Sequence, residues 1–326
     1  MREGMFIKRN VERWNSYQHN KTTDEMAGRF VSLVDDLSYA KTFYPQSKVT
    51  RWINAIAADI YQSIYRNKKE KYSRIFHFWK YELPLLIKKH HPVMLFTFIV
   101  FAIIVAIGIF GSVKEEGFIR GILGDGYVEM TENNISKGDP FGVYKDDHPF
   151  SMFVRIALNN IFVALLMVAG GLTLGVVTLW SMWNNGLMLG SFQYMFFSKQ
   201  LGYQSVMVIW IHGTLEILAL VIASAAGLIM ARGILFPGTY SRLVSFKAGV
   251  KDAVKIMIVL VPIFIVAAFF ESYVTHLMSS TFDQNQKNTY LPTWAGMLIL
   301  IFSFLFIVWY FIVWPILLHK KNNRCL

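Results

Sequence analysis

The sequence predicts an all-α fold: a polytopic helical membrane bundle of about six spans, preceded by a soluble helical domain and an amphipathic elbow helix. Three observations carry this. Hydrophobic residues make up 54% of the 326 positions and charged residues only 16%, against about 25% charged in an ordinary globular domain. The charges avoid long apolar blocks, as in membrane proteins that cross repeatedly. The formal net charge of +11 is also segregated: +8 in residues 1–92, −4 in 112–151 and +7 in 152–326. A nucleic-acid binder spreads basic residues through polar sequence, so the expected partner is membrane lipid and not nucleic acid. Cys325 is the only cysteine, which excludes a disulfide scaffold.

Residues 1–69 predict a cytoplasmic helical domain, with no apolar run of secretory-signal type. Phe30, Leu33, Val34 and Leu37 recur at helical spacing, as do Ile53, Ile56, Ile60 and Ile64, so each set forms one apolar face. Thr22, Thr23 and Asp24 are placed to cap the first helix, and Pro45 and Ser47 separate the two. Residues 70–91 mix Phe76, Phe78, Trp79, Tyr81 and Leu83 with Lys71, Arg74, Lys80, Lys88 and Lys89. That composition predicts an interfacial helix at headgroup level, interrupted at Pro84, with His90 and His91 in a turn before Pro92.

The transmembrane domain is expected over 92–326. Residues 92–112 carry no charge and reach roughly 30 Å at 1.5 Å per residue, enough for the hydrocarbon core. Further blocks lie at 152–182, 185–198, 205–232, 252–275 and 294–318. Gly170 and Gly171 mark a break within the second block. The 185–198 block is short and carries Gly186, Gly190 and Gln193, which leaves it a full span or a re-entrant element. Asn184 and Asn185 are expected at a turn. Basic residues collect on the cytoplasmic side, so the +8 N-terminal region, the 232–255 loop with Arg232, Arg242, Lys247, Lys251 and Lys255, and the tail with Lys320, Lys321 and Arg324 are placed inside. The acidic 113–151 loop, with Asp125, Glu129, Glu132, Asp139, Asp146 and Asp147, is placed outside as a solvated connection.

Ionisable residues within spans are costly and therefore mark function. Arg155, Asn159, Asn160, His212, Glu216 and Glu271 form the candidate intramembrane cluster. With the orientation above, His212 lies about 10 Å and Glu216 about 16 Å below the outer surface, in the slab that holds Arg155, Asn159 and Glu271. His212 and Glu216 are four apart on one helical face, and Arg155 is placed to neutralise Glu216 or Glu271. The set reads as a polar packing clamp or as a substrate, ion or proton pathway. A His-x-x-x-Glu pair can ligate zinc, but positions 208 and 220 are Val and Leu, so no second His stands at helical spacing and no metal is expected. Ala219, Ala223, Gly227 and Ala231 form a small-residue ridge, and Gly171 with Gly175 and Gly186 with Gly190 form GxxxG pairs, which predict close helix packing in a bundle or a homo-oligomer. The sequence lacks a phosphate loop, a serine elbow and a dinucleotide fingerprint, so neither enzyme chemistry nor a cofactor is expected.

The segments MREGMFIKRNVERW and EMAGRFVSLVDDLSYAKTFYP, followed by ALNNIFVALLMVAGG, IHGTLEILAL and FFESYVT, together resemble bacterial members of the stage II sporulation protein M family. The resemblance implies a membrane anchor that assembles with peptidoglycan-degrading partners during engulfment. In bacteria that do not sporulate it implies a neighbourhood of MoxR-type ATPases and von Willebrand A-domain proteins. The 90-residue cytoplasmic extension departs from the shorter sporulation form and favours a cytoplasmic partner. Two functions are expected from this: a scaffold for envelope remodelling in the inner membrane, with both termini cytoplasmic, or a channel or transporter using the polar slab.

Overall fold

The computed structural model describes residues 2–17, 23–66, 73–144, 148–283 and 291–324, and among them every regular element is helical. Thr22, Lys71, Asp146, Asp147 and Cys325, named above, lie outside the described residues, as do the side chains of Thr23, Asp24, Ile64 and Arg324. The chain divides into two compact units, Met1–Phe76 and His77–Leu326.

The first unit contains α1 (Glu3–Ser16), α2 (Thr23–Phe43) and α3 (Lys48–Arg66). Leu33, Leu37, Ile53, Ile56 and Ile60 are buried together, Phe30 packs at the edge, and Val34 is exposed. The expected helical pair is joined by α1, whose Phe6 and fully buried Trp14 meet edge to face at 5.3 Å. The Trp14 indole Nε1 donates to Asp36 Oδ2 at 2.8 Å, and Arg13 reaches the same oxygen. The ring is thus buried with its polar edge satisfied.

The second unit starts where α4 (Ser73–His77) and a π turn at Phe78–Glu82 lead into α5 (Leu83–Lys114). The elbow is therefore not a separate interfacial helix. The helix runs on through Pro84 and Pro92, and His90 and His91 sit inside it rather than in a turn. A proline leaves the carbonyl four residues before it without a helical donor, and around Pro84 and Pro315 side chains supply donors. Tyr310 Oη donates to Trp79 O at 2.8 Å, and Trp314 Nε1 donates to Lys80 O at 3.0 Å, four residues before Pro84. His91 Nε2 lies 2.9 Å from Phe311 O, four residues before Pro315. His90 and Lys89 both bond Asp252, at 2.9 and 2.7 Å.

The 113–151 connection is not a solvated loop. It folds into α6 (Glu116–Leu123) and α7 (Asp125–Ser136). These bury Ile119 and Val128, with Phe141, against Phe196 and Met207. Part of the acidic surface is paired: Glu132 meets Arg120 at 3.1 Å and Lys199 at 3.2 Å.

Next come α8 (Pro149–Ala169), a 3-10 turn at Gly170–Thr173, and α9 (Val176–Ser198). The 152–182 block is thus two helices, divided at Gly170 as the paired glycines predict. Asn184 and Asn185, expected at a turn, lie in the middle of α9. Leu174 and Gly175 take left-handed conformations, φ 57° and 89°, and Thr178 Oγ1 folds back to donate to Met167 O at 2.7 Å. The remaining elements are α10 (Gly202–Leu235), α11 (Arg242–Phe269), a π turn at Phe270–Thr275, α12 (His276–Thr281), α13 (Thr293–Val308), a π turn at Trp309–Val313, and α14 (Trp314–Arg324).

Among the described residues, five helical stretches are long and apolar enough to cross a membrane: Arg74–Lys114, Pro149–Thr173, Gly202–Leu235, Arg242–Thr281 and Thr293–Asn323. The expected sixth, 185–198, belongs to α9. At 23 residues that helix reaches about 34 Å, but its Asn and Gln residues make it more polar than the five.

α10 is the bundle's centre, and Ala219, Ala223, Gly227 and Ala231 are all buried. A methyl added to Gly227 would stand 2.3 Å from Met167 O, and one on Gly171 would stand 2.4 Å from Gly227 O. On the other flank, a methyl on Gly190 would stand 2.4 Å from Val105 O of α5, and one on Gly186 would strike Ile104. These small residues join helices of the same chain, so the GxxxG pairs are used internally rather than between copies.

Candidate functional site

α10 presents His212 and Glu216 one turn apart. The π turn that follows α11 presents Glu271 and Thr275 to them. π turns insert a residue into the helical register and are frequent at functional sites. Here the turn reaches both nitrogens of one imidazole. His212 Nδ1 lies 2.9 Å from Thr275 Oγ1, and His212 Nε2 lies 4.0 Å from Glu271 Oε1. His212 is 5% exposed. One donor atom from each of His212, Glu216 and Glu271 falls within 4.8 Å of the others, and no other group of three such side chains converges this way among the described residues.

These side chains face a cavity of about 340 Å³, lined also by Asn185 of α9, Tyr127 of α7 and apolar residues such as Phe192 and Ile217. Asn160 of α8 lies against the Glu216 carboxylate. Its Nδ2, in a residue only 7% exposed, makes no well-formed hydrogen bond. Ser272 Oγ, on the same π turn as Glu271, is likewise buried without a partner. Burial pushes the Tyr127 phenol up to about 12, opposed by the Thr131 side chain and reinforced by the charge of Glu271, so it faces the cavity as a neutral hydroxyl.

The structure therefore gathers part of the expected cluster. His212, Glu216 and Glu271 come together with Asn160 beside them. Arg155 and Asn159 lie on the exposed side of α8 and do not line the cavity, although Asn159 Nδ2 does donate to Asn160 Oδ1 at 3.4 Å. His212 approaches Glu271 on a different helix rather than relying on Glu216 alone. Three cavity or supporting residues were missed by sequence reasoning. Asn185 was assigned to a turn that forms at Gly170–Gly175 instead. Thr275 stands four residues after Glu271, a spacing that was visible. Tyr127 lies in a segment with no span-like signal. Chemically, two carboxylates and one imidazole converging in apolar surroundings can hold a cation or share protons.

Comparison with known families agrees with this division of the chain. A model described as Stage II sporulation protein M matches residues 94–276, more than half of the chain and all of the cavity. A second, described as a domain of unknown function (DUF8413), matches residues 4–66, so the N-terminal segments belong to a separate module. No curated protein and no solved structure matches the chain.

Proposed function

The chain belongs to the stage II sporulation protein M family, and on that premise we propose that it is an integral membrane scaffold of the bacterial cell envelope. It links a cytoplasmic partner to envelope or peptidoglycan remodelling. The observation that supports this is the pairing of two independent units: an aromatic-cored helical module over Met1–Phe76 and a multi-span bundle. A module with its own core is suited to docking a soluble protein, and the family's association with MoxR-type ATPases and von Willebrand A-domain proteins names the candidates. In this reading the protein lies in the inner membrane with α9 as a sixth span and both termini cytoplasmic. The basic charge of residues 1–92 and of the 232–255 loop supports that orientation.

The test is affinity capture from membranes, comparing the full chain with one lacking residues 1–66. Loss of soluble partners with retained membrane insertion is expected; an unchanged set of captured proteins defeats the reading. Orientation is tested by replacing Cys325 and labelling a cysteine placed beside Lys251, where labelling from outside overturns it.

The cavity favours a second reading, a channel or transporter, because Asn185, His212, Glu216 and Glu271 face an otherwise apolar space between helices. It requires pH-dependent flux in proteoliposomes that Glu216→Gln abolishes. Flux absent at every pH excludes it.

A further inference from the structure

The His212 ring is held in a way that prepares one nitrogen for a ligand. Metal-bound histidines characteristically donate their other ring N–H to a fixed acceptor, which sets the tautomer and aims the lone pair. Here Thr275 Oγ1 meets Nδ1 at 2.9 Å, and with the hydrogen on Nδ1 the Nε2 lone pair points towards Glu271. In that tautomer the imidazole lone pair faces the Glu271 carboxylate, and a second carboxylate, Glu216, joins within 4.8 Å. Three acceptor atoms converge, with no Lys or Arg among the cavity-lining residues. The arrangement calls for a cation at their centre.

We propose that His212 Nε2 and one oxygen each from Glu216 and Glu271 bind a divalent transition-metal ion of the zinc type, with the fourth position open to the cavity. A mixed imidazole and carboxylate set suits such an ion better than calcium or magnesium, which take oxygen alone. Metal–ligand bonds of about 2.0–2.2 Å require the three atoms to close by about an ångström. The two glutamates stand on the cavity wall, where side-chain rotation achieves this. Asn160, more than nine-tenths buried, lies against Glu216 on the side away from the cavity lining. A glutamate oriented by a metal on one oxygen presents the other to that amide. α9 contributes Asn185 to the cavity's far side, so the open position faces a polar group rather than a sealed wall. The proposal is independent of both the scaffold and the transport readings, since a metal here can serve as a structural tie or as a part of a pathway.

The experiment uses the full chain in nanodiscs, stripped with chelator, loaded with Zn²⁺ and desalted, with metal content measured by mass spectrometry. One equivalent per chain is expected, and Co²⁺ loading should give the visible absorption of a four- or five-coordinate site. His212→Ala and Glu271→Gln should each lower affinity at least ten-fold. Thr275→Val, which touches only the supporting bond, should lower it about ten- to hundred-fold, and Glu132→Gln on the surface should leave it unchanged. Should His212→Ala fail to fold, Glu271→Gln and Thr275→Val decide. A stripped and reloaded parent that retains no Zn²⁺, or variants that retain as much as the parent, overturns the proposal.

Discussion

Along α10, residues 219–231 and residues 209–217 meet their neighbours in opposite ways. The first stretch presents Ala219, Ala223, Gly227 and Ala231, and backbone approaches backbone until not even a methyl fits at Gly227. The second presents His212 and Glu216 beside Ile209 and Ile217, and there the helices leave a 340 Å³ space. Both stretches belong to one unbroken helix. In lipid, helices gain little from hiding apolar surface, so contact depends on packing and on polar bonds. Small residues let the helices seal, whereas long polar side chains prop them apart and need something to coordinate. The contrast separates the part of the bundle that holds the fold from the part that can change occupancy.

That comparison breaks if the sealed half tolerates bulk. Gly227→Leu drives side-chain atoms into Met167 O and Thr178, with an expected cost of about 3 kcal/mol or more. Size-exclusion profiles after heating should show loss of the folded species. Asn185→Leu, on the cavity wall, should instead shift stability by under about 1 kcal/mol, because the space accepts the volume and only a bond to Ser181 O is lost. His91→Phe tests the polar ties outside both regions. It strands Phe311 O, for an expected cost of about 1–3 kcal/mol, read as faster hydrogen exchange in α14. Glu132→Gln should do least. It removes two partly exposed ion pairs, with Arg120 and Lys199, worth about 0.2–1 kcal/mol, and the small effect should fade with salt.

Much of the fold was legible because span length and charge exclusion follow directly from bilayer physics. The hairpin was legible at Gly170–Gly171, where two residues without Cβ atoms precede a left-handed turn. It was misplaced at Asn184–Asn185, because polarity resembles a turn when partners are invisible. Each amide instead bonds its own helix, Asn184 to Trp180 O at 3.1 Å and Asn185 to Ser181 O at 2.8 Å, so the helix pays little for continuing. The 113–151 helices were hidden by their acidic charge. At the site, His212 with Glu216 was readable from spacing along one helix. Glu271 was readable as a member from its depth in its own span, but its approach to His212 was not, since it is made through a π turn 55 residues after Glu216. Positions 208 and 220 are Val and Leu, and the third group comes from the π turn after α11 instead.

The carbonyls left without donors before Pro84 and Pro315 have a consequence for biogenesis. Their partners lie 220 to 234 residues away in sequence, joining the first long helix to the last. A ribosome feeding this chain into a membrane must release α5 long before Tyr310 and Trp314 exist, so the Trp79 and Lys80 carbonyls and the His91 ring wait through most of synthesis. Closing so distant a contact is a late event. A chain truncated before Tyr310 would insert its earlier helices yet leave this clasp open, with the Trp79 and Lys80 carbonyls ahead of α5 offering a mark by which quality control could tell a finished protein from an unfinished one.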